Sequence, residues 1–179
     1  VILTDGGRLE VSEPIEVATL TIGGGNQSSM MWSPITATGS VEIVGPGKAY
    51  AQSITAPTLT VRSGGFLSQA YLPEEYATAA LLDLDVGTLV VEDGGAIDVT
   101  GRGYGPRQTY PDHSVGTHDQ AGGSHLGEGG ITSGTAGETY GSVYRPQESG
   151  GGGQYYSYND PQYSYQGLRG GGVVRITAQ

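Results

Sequence analysis

Apolar and polar residues alternate in short bursts through the first hundred positions. Leu9/Val11, Leu59/Val61, Leu89/Val91 and Ile97/Val99 are each two residues apart, the period that sends successive side chains to opposite faces of a strand. The bursts recur in a fixed order. One apolar-x-apolar run precedes a Gly pair, a second follows it, and a third, as in Ile15/Val17, Ile35/Ala37, Ile54/Ala56 and Leu82/Leu84, comes just before the next copy. Ungapped nine-residue copies start at Val1, Leu59 and Leu89, with looser copies at Leu20 and Val41. Starts at 1, 20, 41, 59 and 89 differ by 19, 21, 18 and 30 residues, a solenoid-like period with one longer turn.

The pattern predicts an all-β fold: a parallel β-solenoid, read as a three-faced β-helix of about five rungs of ~20 residues. Gly6-Gly7, Gly64-Gly65 and Gly94-Gly95 are the expected structural corners, because a sharp bend between strands needs a positive φ that Gly adopts cheaply. Strands at this spacing also suit a β-sandwich, but a corner motif recurring in register favours the solenoid. Alternation directs Leu59, Val61, Leu89, Val91 and Ile97 into the core and turns Thr60 outward. Within the longer turn, a Pro followed by Glu74, Glu75 and an Ala-rich run predicts a helical bulge over Pro73 to Leu82.

After Thr100 the pattern stops, and Val173-Val-Arg-Ile176 resumes it as one last strand. Residues 1–179 therefore read as a single solenoid domain whose last rung holds a Gly/Tyr-rich insertion, 101–172. That insertion contains 20 of the 33 Gly and 9 of the 12 Tyr, so it has too few aliphatic residues for a conventional core. Ordering its backbone costs on the order of 70–140 kcal/mol before any compensation. Gly-permitted backbone hydrogen bonding, docked Tyr rings, a bound metal or a neighbouring molecule are the available offsets.

Composition narrows the function classes. Eight Lys+Arg against 18 Asp+Glu, with Lys48 the only lysine, give a net charge of −10 and argue against nucleic acid. With no Cys, disulfides, Cys-ligated zinc, Fe–S clusters and thiol catalysis are excluded. No apolar run approaches the ~20 residues of a membrane span. The chain opens directly on a strand-like run, as expected of a processed or excised piece. Its Gly/Thr/Ser/Tyr richness without Cys fits an extracellular or cell-surface location.

Gly101-Arg-Gly-Tyr-Gly-Pro106, Gly122-Gly-Ser-His125, Tyr140-Gly-Ser-Val143, Gly150 to Gly153 and Gly170-Gly-Gly-Val-Val-Arg-Ile176 together resemble the Gly-rich stretches of large secreted, adhesin-like bacterial surface proteins. In those proteins such stretches accompany β-helical segments. The resemblance covers about the last 80 residues and implies surface exposure and adhesion or assembly, with no catalytic residue carried over. The front half is similar to right-handed parallel β-helices of the pectate-lyase and haemagglutinin type in architecture alone.

Several residues carry candidate chemistry. Tyr155, Tyr156, Tyr158, Tyr163 and Tyr165 form the densest aromatic cluster, suited to stacking on sugar faces, to anchoring an interface, or to replacing the aliphatic core. Asp112, His113, His118, Asp119 and His125 offer carboxylate and imidazole ligands for Ca²⁺ or another divalent metal, at spacings that match no established motif. Asp83, Asp85 and Asp98 alternate with apolar residues and face outward, as acid–base carboxylates of polysaccharide-cleaving β-helices do, without the accompanying basic pattern. Outward Thr19, Thr21, Thr58, Thr60 and Thr88 suggest an ice-binding column, which Glu42 and Val90 interrupt. Asn26-Gln-Ser28 is a formal glycosylation acceptor. The expected function is a non-catalytic extracellular module, part of a self-assembling filament or an adhesin, with copies of itself or adjacent domains as partners. Both ends read as bare strands that need such partners. A carbohydrate-binding module using the Tyr cluster is the alternative, and a polysaccharide-cleaving enzyme the third.

Overall fold

A computed structural model describes residues 1–3, 8–9, 14–24, 29–31, 34–46, 48–70, 81–116, 121–132, 134–154 and 167–179. Gly6, Gly7, Asn26, residues 73–80, His118, Asp119 and the five tyrosines between 155 and 165 lie outside that set. The backbone gathers into two compact units, one of Val1–Tyr71, Leu81–Asp98 and Val174–Gln179, the other of Leu72–Ala80 and Val99–Val173.

The first unit is all-β, with no helix among its described residues. Its strands are β1 (Ile2–Leu3), β2 (Arg8–Leu9), β3 (Ile15–Gly23), β4 (Ser29–Met31), β5 (Ile35–Val44), β6 (Lys48–Ala51), β7 (Ser53–Val61), β8 (Phe66–Gln69), β9 (Leu82–Val91), β10 (Ala96–Ile97) and β11 (Val174–Ala178). Odd-numbered strands form a six-stranded sheet in the order β1-β3-β5-β7-β9-β11, and even-numbered strands a five-stranded sheet in the order β10-β8-β6-β4-β2. Every pairing is parallel. The sequence repeat is the register itself: Leu20 pairs with Val41, Val41 with Leu59, and Leu59 with Leu89. Ile2 opposite Thr21 extends the same alignment to the copy at Val1.

Two of the three strands expected per turn are joined. The third run of one copy continues without a corner into the first run of the next, giving strands of 9 or 10 residues in β3, β5, β7 and β9. Where a break was expected there is a register irregularity, between Val17 and Thr19 and between Thr36 and Ser40. Small or cyclic residues line that bend: a Cβ on Gly39 would lie 2.7 Å from Ala18 O, and one on Gly87 2.7 Å from Pro57 O. The extra residue of the bulge lies in β5, where Ala37 and Val41 are buried four residues apart; in β7, which lacks it, Ala56 and Leu59 are buried three apart. Leu82, the last residue of the expected helical bulge, opens β9.

The two Gly of each corner have separate tasks. Gly65 N–H donates to Arg62 O and Gly95 N–H to Glu92 O, both at 2.8 Å, closing four-residue turns. The third residue of each, Gly64 (φ 71°) or Gly94 (φ 77°), takes the left-handed conformation that this turn requires. The fourth meets the neighbouring strand, for a Cβ on Gly65 would stand 2.6 Å from Ile43 O and one on Gly95 2.7 Å from Val61 O.

Leu20, Ile22, Ile35, Val41, Ile43, Ile54, Leu59, Val61, Leu67, Leu82 and Leu84 are fully buried. Two expectations need correction. Leu89 is only half-buried and Val91 is 45% exposed, as β11 pairs with Leu82–Val86 alone, and Ile97, on the outer strand β10 of the second sheet, is half-buried too. Thr60 faces outward yet is buried, lying between Glu42 and Val90 on adjacent strands and beside Arg62, which bonds both Glu42 and Glu92 at 2.6 Å. That exposed ion-pair ladder raises the Arg62 pKa, chiefly through its hydrogen bond to Glu92, and lowers that of Glu92, chiefly through the same bond.

Two substitutions separate the corner roles. Gly64→Ala is expected to cost about 1–2 kcal/mol through its left-handed backbone. Gly65→Ala should cost more, because Ile43 O leaves no room for a methyl group and strands must part. Chemical denaturation midpoints in which Gly64→Ala is the worse variant would contradict this division. In the same assay, Leu59→Ala should lose about 2–5 kcal/mol and half-buried Leu89→Ala clearly less.

Candidate functional site

Among its described residues the second unit has almost no regular secondary structure, so its backbone groups find partners across loops. Gly103 N–H donates to Gly170 O at 2.8 Å, Gly150 N–H to Gly171 O at 2.9 Å, Gly151 N–H to Ser124 O at 3.1 Å and Gly153 N–H to Leu168 O at 2.9 Å. These segments run too close for side chains: a Cβ on Gly151 would be 2.6 Å from Ser124 O, and on Gly103, Gly123, Gly152 or Gly170 it would overlap a facing carbonyl. Close approach at a crowded axis is the same reason Gly recurs in the collagen triple helix. Of the four offsets expected for ordering this segment, backbone bonding among glycines is present.

Within that lattice the large side chains converge on Tyr140. Its ring packs against Tyr104 (6.3 Å between centroids), Tyr110 (5.3 Å, stacked), His113 (5.6 Å) and His125 (5.1 Å). Tyr140 is buried and its hydroxyl donates to Ser149 O at 2.8 Å. Burial pushes its phenol pKa up. Tyr140 N–H donates to His125 O, which ties the two loops together. His125 Nε2 is sealed from solvent without a hydrogen-bond partner, and Gly141 (φ 90°) leaves the space it occupies. Ser124 Oγ donates to Gly137 O at 2.8 Å and accepts from Gly129 N–H at 3.0 Å, fixing the neighbouring turn.

Of the expected metal ligands, His113 and His125 both touch the Tyr140 ring, whereas Asp112 is exposed on the loop before His113. His113 Nδ1 lies 3.0 Å from Pro111 O. Among the described residues no three His, Asp or Glu side chains gather as a metal centre would require. Glu138 accepts from Ser114 N–H at 2.7 Å, which holds its carboxyl below the ordinary range, with His113 adding a smaller effect. On β9, Asp83 accepts from Nε and Nη2 of Arg175, and Asp85 is exposed.

The described aromatic cluster thus consists of tyrosines other than those that stand densest in the sequence. Tyr104 and Tyr140 sit inside two Gly motifs, Gly-Tyr-Gly and Tyr-Gly-Ser, and a bulky ring flanked by Gly is the local signal that marks them. Tyr110 has no such signal. Comparison with known protein families, curated proteins and solved structures gives no match.

Tyr140→Phe should destabilise the second unit by about 0.5–1.5 kcal/mol at neutral pH through loss of the Ser149 bond. The sign with pH is opposite. A phenol whose pKa is raised by folding stabilises the folded state below the ordinary Tyr range and ceases to do so as pH rises through the raised value. Hydrogen exchange across 121–154 should therefore accelerate at alkaline pH in the native sequence and less so in Tyr140→Phe. Glu138 works in the other direction: its lowered pKa adds stability above the ordinary carboxylate range, lost as pH falls through the lowered value. Glu138→Gln should flatten the acid limb of the same exchange profile.

Proposed function

We propose that this chain is a non-catalytic extracellular structural module of β-helical build, which pairs with copies of itself or adjoining domains in a surface filament or adhesin. One observation carries the reading. β3, β5, β7 and β9 carry the same repeat in one parallel register, with Leu20 opposite Val41, Val41 opposite Leu59 and Leu59 opposite Leu89. A stack whose rungs present the same backbone pattern one after another grows by addition of like rungs, which supports association through the β-helical body. No helix among the described residues is long and apolar enough to cross a membrane.

Light scattering and negative-stain microscopy test the proposal on the intact chain. Concentration-dependent, linear assemblies that keep the circular dichroism of the monomer are expected. A monomer at every concentration would refute self-association.

A further inference from the structure

The loop from Arg107 to His113 holds an arrangement that the structural-module reading does not use. Arg107 (φ 59°) and Asp112 (φ 64°) are the non-Gly residues with left-handed backbone among those described, and they bracket Tyr110. Such conformations are unfavourable for ordinary side chains and persist where the surroundings impose them. Here Arg107 N–H donates to Gly153 O at 3.0 Å, and His113 N–H to Tyr110 O at 3.2 Å. Glycine, which the rest of this unit uses freely, would fill both positions without strain. The side chains at 107 and 112 are thus not required by the backbone they occupy.

The side chains themselves are presented rather than used. Arg107 and Asp112 are exposed, and neither engages another described side chain. Tyr110 is 37% exposed, with one ring face stacked on Tyr140 at an interplanar angle of 23° and its edge set by His113 at 5.5 Å. A partly exposed ring held still by its stack on a buried one is a platform for a flat apolar surface. A guanidinium and a carboxylate on the same short loop supply donors and acceptors for hydroxyl groups around it.

We infer that the Arg107–His113 loop is a carbohydrate-binding site that takes a neutral, β-linked pyranose polymer, stacking one sugar ring on Tyr110 with its hydroxyls shared between Arg107 and Asp112. The axial C–H groups of a β-glucopyranose make the apolar face the ring needs. An acidic sugar is disfavoured by Asp112 and by the net charge of −10. The site lies wholly within the second unit and does not depend on association through the strands.

Native affinity electrophoresis of the intact chain provides the test, with laminarin, hydroxyethylcellulose and polygalacturonate as gel-embedded probes. One of the two glucans should retard the native protein and polygalacturonate should not. Tyr110→Ala should weaken retardation about tenfold. Because that change also removes the stack on Tyr140, Arg107→Gly is the decisive variant: its melting temperature should hold or rise as the backbone relaxes, while retardation weakens severalfold. Tyr144→Ala, which removes an exposed ring elsewhere in the unit, should behave as the native protein. Absence of retardation by either glucan, a preference for polygalacturonate, or full binding by Arg107→Gly and Tyr110→Ala would each overturn the assignment.

Discussion

Backbone approaching backbone closer than a side chain allows is the constraint on which both units rest. In the first unit it occurs at the corners, where Gly65 lies against Ile43 O and Gly95 against Val61 O. In the second it occurs throughout, wherever Gly103, Gly123, Gly151, Gly152 and Gly170 face a carbonyl of another segment. The energetic logic differs between the two. Corner glycines let aliphatic strands stack, and burial of Leu59, Ile43, Ile54 and their neighbours supplies the stabilisation. Insertion glycines have little aliphatic burial behind them, so satisfied peptide groups and a few aromatic rings must offset the chain entropy.

That difference decides what was legible in the sequence. A repeat with a strand period fixes its own register, because a slip of one residue would turn Leu59 and Val61 to solvent. The starts at Leu20, Val41, Leu59 and Leu89 could therefore be aligned by eye and are Cα partners in the sheet. Their burial could not be read the same way. Leu89 carries the same local pattern as Leu59, yet its burial depends on the strand that pairs on the far side, and nothing within nine residues of sequence reports where β11, which begins 85 positions later, lies along β9. The joining of two expected strands into one was equally hidden, since a bulge and a corner both appear as a break in alternation.

In the insertion the order reverses: composition was informative and position was not. A segment whose bulky residues are mostly Tyr must pack Tyr if it packs anything, and Tyr140 is indeed buried. Density along the chain pointed to the five tyrosines of 155–165, which lie outside the described residues. Tyr104, Tyr110 and Tyr140 meet because glycine segments far apart in sequence bond to one another, as Tyr104 N–H does to Gly150 O. Such convergence has no period. It is set by which carbonyl faces which amide, and that information is spread over the whole segment.

A lattice held by close backbone contacts divides its residues sharply into those that can change and those that cannot. Any side chain at Gly123 or Gly170 forces two segments apart, so these positions carry the scaffold and little else. The side chains of Arg107 and Asp112 meet solvent, so their identity is free of the packing that fixes the glycines. Their left-handed backbone would accept Gly without strain, so neither packing nor conformation accounts for an Arg and an Asp on either side of a half-exposed ring, whereas packing alone explains the fully buried residues of the unit.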